Sequence, residues 1–511
     1  MNNLTIPSVW HKTVIDRPDE KIVFRGLEVQ YAEAYALACG FRRHPLFEKL
    51  NDGDVVASID FNTLDNFLLH TCVPANGLVL APINPMLPSA TIRSVLKELS
   101  PQIVFVNREL SKNLDLDGVP AHILETDGKW IYDNMSGSSD DSGFSHVSEN
   151  SGAVIVLTSG TTGPPKKILY PHRNIVLTIM AMSHLLGSAE GPATLRSEDV
   201  IFDLIPLYHL FGWGSAYIAP LLGTRIILDG RFDPASVLKK IGEENVTWFN
   251  CVPTMIHFLL ESDRNGILKG RKILLGGSTI PQGLSDRILE AGMEFASIYG
   301  FSDGLVAGIG RASSREKGES PEAIEDRLRR SVTIAPFSRV DIRKLENSDY
   351  GEIYFSAPWL PEGYMNDPGR TQTAYVRGYF RTGDIGFIDE FGRLVIVDRV
   401  GDMIKSGGEW IPSSSVEALV STHGAVASCA VVGIPDEKWG ERPVCFIIPK
   451  KGTAPSAGDI AEHLNAMVPD RIVKWWIPDR FIFADQFPMT GTGKIDKREL
   501  KNTAMRNKPD E

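Results

Sequence analysis

Residues 154–167 read VIVLTSGTTGPPKK, and the fold follows from how this stretch is read. Val154 to Leu157 is a short, largely β-branched apolar run, too short for a helix, and is expected to be a buried strand. The residues after it supply hydroxyls (Thr158, Ser159, Thr161 and Thr162), two flexible glycines (Gly160 and Gly163) and the ammonium of Lys166. A polyphosphate needs such groups: donors that approach closely, on a backbone free to turn tightly, with charge to match. The stretch is not a Walker loop, because no Gly-Lys-Ser/Thr follows at the required spacing. Alone, it would read as a solvated polar turn.

Further segments extend the pattern. In chain order come PLYHLFG (Pro206–Gly212), GGS (Gly276–Ser278), YGFSD (Tyr299–Asp303), YFRTGD (Tyr379–Asp384), DRVGDMIKSGGEWI (Asp398–Ile411) and PMTGTGKID (Pro488–Asp496). With TSGTTGPPK, these segments resemble the signature motifs of the adenylate-forming superfamily of acyl-CoA synthetases, luciferases and peptide-synthetase adenylation domains. They occur in that family's order across nearly the whole chain. The GGEWI spelling and GIPDEKWGERPV (Gly433–Val444) are most similar to acyl-CoA synthetases.

Composition narrows the partners. A chain of 511 residues exceeds a single ordinary core and is expected to hold two or more domains. A formal charge of −11 argues against nucleic acid or an anionic membrane as the main partner, so an anionic ligand must be held by a local basic site. Five scattered cysteines, Cys39, Cys72, Cys251, Cys429 and Cys445, suit reduced core thiols of a cytoplasmic protein better than disulfides or a zinc site. No apolar run approaches the ~20 residues that span a bilayer, and Met1 to Trp10 does not read as a signal peptide.

The fold class expected is α/β. Short apolar runs at Val55–Ile59, Gly77–Pro82, Ile103–Asn107, Val200–Leu204, Arg225–Leu228, Thr247–Cys251 and Lys272–Leu275 read as strands between helical patterns. Residues 126–151 read as a surface loop and 311–335 as a charged, solvated helical excursion. From about 335 to 399, alternating runs separated by turns predict a β-rich antiparallel subdomain. A small α/β unit follows, with helices at Ser415–Ser421 and Ile460–Met467 and strands at Val426–Ile434 and Arg442–Pro449. The expected division is 1–399 and 400–511. The resemblance implies the same: a large N-terminal domain of layered α/β subdomains and a small mobile C-terminal domain, with the site between them.

The chemistry implied is activation of a carboxylic acid by ATP to an acyl-adenylate, a task of positioning and neutralising anionic oxygens. Lys494, on a Thr/Gly loop, matches the family's adenylation lysine; Asp384 and Arg399 match contacts to the nucleotide's ribose and phosphates. Gly277, Ser278, Tyr299, Gly300 and Ser302 match nucleotide contacts, with Tyr299 offering an aromatic face to adenine. Thr162 and Asp303 are the candidate Mg²⁺ residues; relatives usually carry Glu where this chain has Asp303, one methylene shorter. His209 and Trp213 are assigned to the acyl pocket, His209 as a gate and not a base, with Gly277 beside them. The segment after Tyr208 lacks the Asp that amino-acid-activating relatives use to hold an α-ammonium. Gly407 and Gly408 match a passage for the pantetheine arm of CoA, with Lys405 reaching nucleotide or CoA phosphates.

Three positions depart from the family pattern. Lys167 stands where Gly is common and reads as extra charge beside the phosphate loop or a solvated side chain. Gly401 stands at the pivot of domain rotation, where Asp or Lys is usual, and Pro412 lies just beyond the presumed tunnel wall. The leading expectation is an acid–CoA ligase using ATP, Mg²⁺ and CoA. The alternatives are an amide synthetase, in which an amine captures the adenylate, and a non-catalytic nucleotide-binding protein.

Overall fold

The structure is a computed structural model; it describes all residues except 1–3, 136–142, 145, 159–164, 188–192, 312–319, 347, 490–493 and 507–511. It is mixed α/β, with a large N-terminal domain and a small C-terminal one. Two large sheets build the first. One has six strands in the order His122–Thr126, Ile103–Asn107, Val55–Ile59, Val79–Ile83, Gly152–Thr158, Lys166–Pro171. Neighbours among the first five pair in parallel, and the last pairs antiparallel with Gly152–Thr158. Their near-continuous apolar composition is what a sheet covered on both faces requires. Leu157 pairs with Lys167 and Thr158 with Lys166, so the polar stretch expected to hold phosphate joins two antiparallel strands.

The second sheet has fourteen strands. Its middle is parallel: Lys21–Phe24, Arg225–Leu228, Val200–Asp203, Trp248–Cys251, Lys272–Gly276 and Glu294–Phe301. Beyond Leu305–Ile309 it turns antiparallel through Ser331–Ile334, Leu394–Arg399, Tyr379–Ile388, Gly351–Ser356 and Arg339–Lys344. One apolar core takes side chains from both sheets, including Phe105 and Val154 of the first and Ile226 and Leu274 of the second.

Two expectations need correction. The stretch 311–335 is not simply a solvated excursion. Its helix Pro321–Arg330 buries Leu328 and Arg329, and Ser331–Ile334 bridges the two halves of the long sheet. An exposed charged pattern hid it because only long-range pairing makes this segment a strand. Within 126–151, Trp130–Met135 is a helix whose first amides donate to the buried Asp65 carboxylate, a partner 65 residues away.

The small domain pairs Ile404–Ser406 with Glu409–Ile411 and packs the long hairpin Val426–Asp436/Gly440–Pro449 beside Arg480–Phe483. It has its own apolar core, built around Val416, Val431 and Ile447. It meets the large domain at Gly283, whose N–H donates to Ser421 Oγ at 3.2 Å, and at Gln282, which accepts from Arg471 at 2.7 Å. All five cysteines are buried and unbridged. Among the described residues no helix is long and apolar enough to cross a membrane.

Candidate active site

Open α/β sheets present ligand-binding loops at the carboxyl ends of their parallel strands. Three of the sequence motifs fall there: Pro206–Gly212 after Val200–Asp203, Gly276–Ser278 at the end of Lys272–Gly276, and Tyr299–Asp303 at the end of Glu294–Phe301. Asp384 and Arg399 face each other across the antiparallel strands Tyr379–Ile388 and Leu394–Arg399.

Asp384 is the best-held carboxylate of the site. Its Oδ2 accepts from the Tyr299 hydroxyl at 2.6 Å, and Oδ1 lies 3.2 Å from Arg399 Nε. Burial pushes the Asp384 carboxyl above its ordinary value, opposed by the Arg399 guanidinium; Asp384 in turn raises Arg399. Hydroxyl and guanidinium thus orient a buried acceptor.

Lys494 reaches this pair from the small domain. Burial, then the Arg399 charge, lowers its ammonium to about 8, while Asp384 acts to raise it. Its Cε would lie 3.3 Å from a Cβ built on Gly277, whose φ of +86° already favours glycine. On the same side, the Trp213 indole comes within 3.1 Å of a Cβ position at Gly276 and 3.6 Å of one at Gly277. Trp213 packs with Ile205 and Val252 in a small apolar cluster. Burial and the Lys494 charge lower His209 to about 4, so it is neutral at ordinary pH. Lys494 therefore stands between a polar wall, Tyr299–Asp384–Arg399, and an apolar wall, His209–Trp213–Gly277.

A second cluster involves Lys166 and Asp303. Lys166 Nζ donates to the Tyr364 hydroxyl at 3.0 Å, sits 4.5 Å above the Tyr364 ring and lies 3.9 Å from Asp303 Oδ1. Tyr364 also donates to Asp303, and burial raises the Asp303 carboxyl. Tyr170 donates to the Ser302 carbonyl at 2.7 Å and Tyr375 to that of Asp303 at 2.9 Å. Three tyrosines thus fix the turn at Ser302–Asp303. Sequence reading missed Tyr364, because its partners lie 61 and 198 positions away.

The remaining assignments divide. Thr158 is buried, and its hydroxyl has no partner among the described residues, as expected of a group awaiting a ligand at the mouth of the loop. Ser159, Gly160, Thr161, Thr162 and Gly163 lie outside the described residues. A Cβ at Gly300 would meet the Leu305 carbonyl at 2.5 Å, so glycine is needed there for strand packing as well as for any ligand. Ser278 is exposed at the rim. Lys405, Gly407 and Gly408 are not brought into the Lys494 cluster. Lys405 rests over the Trp410 ring, and Gly407 packs on Trp439 in the small domain's own sheet. Lys167 is neither solvated nor a free charge beside the loop: it is buried and ion-paired with Glu98 of the helix Ser89–Leu99.

No three His, Cys, Asp or Glu residues among those described are grouped to hold a metal ion. Asp303 offers a single carboxylate already 3.9 Å from the Lys166 ammonium, so a Mg²⁺ ion held there would have to take most of its oxygen ligands from a triphosphate.

The chain matches known proteins over most of its length. Residues 11–365 match the family model "AMP-binding enzyme", and residues 415–494 match "AMP-binding enzyme C-terminal domain". A long-chain-fatty-acid–CoA ligase of Thermus thermophilus is 32% identical over 472 residues, covering 88% of this chain and 85% of the relative. The crystal structure of the anthranilate CoA ligase AuaEII in complex with anthranoyl-AMP has a TM-score of 0.84 at 19% identity, covering 98% of this chain and 97% of that one. The amide bond synthetase McbA of Marinactinospora thermotolerans has a TM-score of 0.81 at 21% identity, covering 98% and 99%. At those identities the two structures speak for the fold alone.

Proposed function

This chain belongs to the AMP-binding enzyme family, and on that premise we propose that it is an AMP-forming carboxylic acid–CoA ligase. The observation that carries the reading is Lys494, held between the Asp384–Arg399 pair and the apolar wall of Trp213 and Gly277. A carboxylate entering along the apolar wall would meet the α-phosphate of ATP at this ammonium. In the first step a carboxylate oxygen bonds to the α-phosphorus and the bond to the β-phosphate oxygen breaks, releasing pyrophosphate. In the second, the CoA thiol loses its proton, sulfur bonds to the acyl carbon, and AMP leaves with the electron pair.

In this reading Asp384 and Arg399 hold the ribose, and Tyr299, Gly300, Ser302, Gly277 and Ser278 border the nucleotide. Thr158 and Lys166 border the phosphates. Thr162 and Asp303 would hold Mg²⁺ entering as MgATP, where the ion neutralises phosphate charge. His209 and Trp213 bound the acid. Neutral His209 adds no second positive charge beside Lys494. We place the domain boundary at 399/400 and the compartment in the cytoplasm, the latter supported by five unbridged buried thiols.

Lys405 and Gly407 make their recorded contacts within the small domain, which suits a protein that adenylates in this arrangement and turns its small domain for thioester formation. Gly401 is the proposed pivot, and a Cβ built there meets nothing within 4 Å. Gly401→Pro would fix φ near −65° and restrict Val400 before it. It is expected to leave acid-dependent pyrophosphate release near the wild-type rate while lowering acyl-CoA formation by about tenfold or more. Equal loss of both half-reactions would refute the pivot.

The deciding experiment follows products by mass spectrometry, with MgATP and a panel of aliphatic and aryl acids, divided between CoA and a pool of amino acids. Acyl-CoA formed only where CoA is present is the expected result. Amides formed without CoA would make the protein an amide synthetase. Pyrophosphate release with no acid would overturn both readings.

A further inference from the structure

The loop carrying His209 and Trp213 is held in a conformation its residues disfavour. Leu210 (φ 50°) and Trp213 (φ 54°) occupy the left-handed region without being glycine, next to Gly212 (φ 63°) and Gly214 (φ 88°). Such backbone persists only where its surroundings over-determine it.

Those surroundings are side chains taking the place of a missing strand. Past Asp203 the chain leaves the sheet, and its amides turn to two asparagines. Asn250 Oδ1 accepts from the N–H groups of Leu204 (3.0 Å) and Ile205 (3.1 Å), and Asn62 Oδ1 from that of Leu207 (2.9 Å). Asn62 Nδ2 donates to the carbonyls of Asp203 (2.8 Å) and Ile205 (2.9 Å). At the loop's other end, the Gly212 carbonyl accepts from Asn250 Nδ2 and from Ser215 Oγ, both at 2.9 Å. Asn250 Nδ2 also donates to Asp203 Oδ1 at 3.1 Å, and a Cβ at Gly212 would fall 2.5 Å from Asp203 Oδ2. One amide therefore grips both ends of the loop. Asp203, Asn250, Asn62 and Ser215 are each 4% exposed or less, so water cannot substitute for a lost partner.

We propose that Asp203, Asn250 and Asn62 are positioning residues that set the acyl-pocket wall by clamping the strained His209–Trp213 loop, and so help determine which acids are accepted. The proposal rests on the acyl-adenylate reading of the site. None of the three is assigned contact with a substrate; they act through Trp213, whose indole lies against Gly276 and Gly277. Burial raises Asp203 to about 8, opposed by the side-chain hydrogen bonds from Ser215 and Asn250. An asparagine at 203 has nearly the same shape and keeps the Oδ1 that accepts from Asn250.

The test compares Asn250→Ala, Asp203→Ala and Asp203→Asn in the full-length enzyme by two readouts. One is the KM for each of a series of acids set against the KM for ATP. The other is hydrogen exchange of the peptide covering residues 204–214. Asn250→Ala and Asp203→Ala are expected to raise KM for the best acid about tenfold, reorder the acid preference and leave KM for ATP within about twofold. Exchange should rise in that peptide and not elsewhere, and Asp203→Asn should restore both readouts. Unchanged acid ranking and unchanged exchange in the alanine variants would overturn the proposal. So would exchange rising across the whole chain with both KM values, since that is general destabilisation. Failure of the wild type to adenylate any acid would instead sink the functional reading, and local exchange would still decide whether the clamp exists.

Discussion

Replacing Lys494 with alanine is expected to lower acid-dependent pyrophosphate release by ~10²–10³, the effect of removing one preorganised charge from a developing anionic centre. Thioester formation from a supplied acyl-adenylate should survive, because on the proposed rotation Lys494 serves only the first step. This split separates lost chemistry from lost folding. Unchanged pyrophosphate release in Lys494→Ala would remove the main argument for catalysis at this site. The same residue implies a pH dependence. Burial and Arg399 lower the ammonium to about 8, so its charged fraction in the free enzyme is nearly full at pH 7 and falls as pH rises through about 8. The kcat/KM for adenylation, which reports free-enzyme ionisations, should therefore decline on the alkaline side with an apparent pKa near that value. Wild-type kcat/KM that stays flat to pH 10 would argue that this ammonium is not required.

Asp384→Ala should raise the KM for ATP about 10²-fold, since a buried carboxylate accepting two ribose hydroxyls contributes two charge-assisted hydrogen bonds of ~1.5–3 kcal/mol each. The acid KM should move little. The fold should tolerate the change, because the Arg399 side chain left behind is 62% exposed and is not stranded in an apolar interior. The Tyr299 hydroxyl does lose its 2.6 Å acceptor, so some loss of adenine orientation should add to the effect. Equal increases in both KM values would assign Asp384 to general site architecture instead of the nucleotide.

Asp384 and Arg399 illustrate what could be read in advance. Each lies in a short motif whose spelling is local, and their runs alternate plainly enough to read as antiparallel strands; that the two residues face one another came from the register. The strand that ends at Thr158 was legible for the same reason: a short β-branched apolar run is a property of consecutive residues. Lys167 was not. Its position suggested added charge near phosphate, but the strand Lys166–Pro171 turns it inward, where Glu98 from a distant helix neutralises it. Lys405 likewise carried a motif yet packs on the small domain's own face, because domain orientation is not written in any local pattern.

What the sequence determined by itself was the α/β class, most of the parallel strands and the division into a large and a small α/β unit. These depend on periodicity and motif spelling over a few residues. Tertiary structure alone decided that Ser331–Ile334 joins the long sheet, that Tyr364 binds Lys166 and Asp303, and that Asn62 and Asn250 hydrogen-bond the chain between Asp203 and Gly212. The physical reason is that a buried polar group must find a partner wherever the packed chain provides one. Here those partners lie between 38 and 198 residues away.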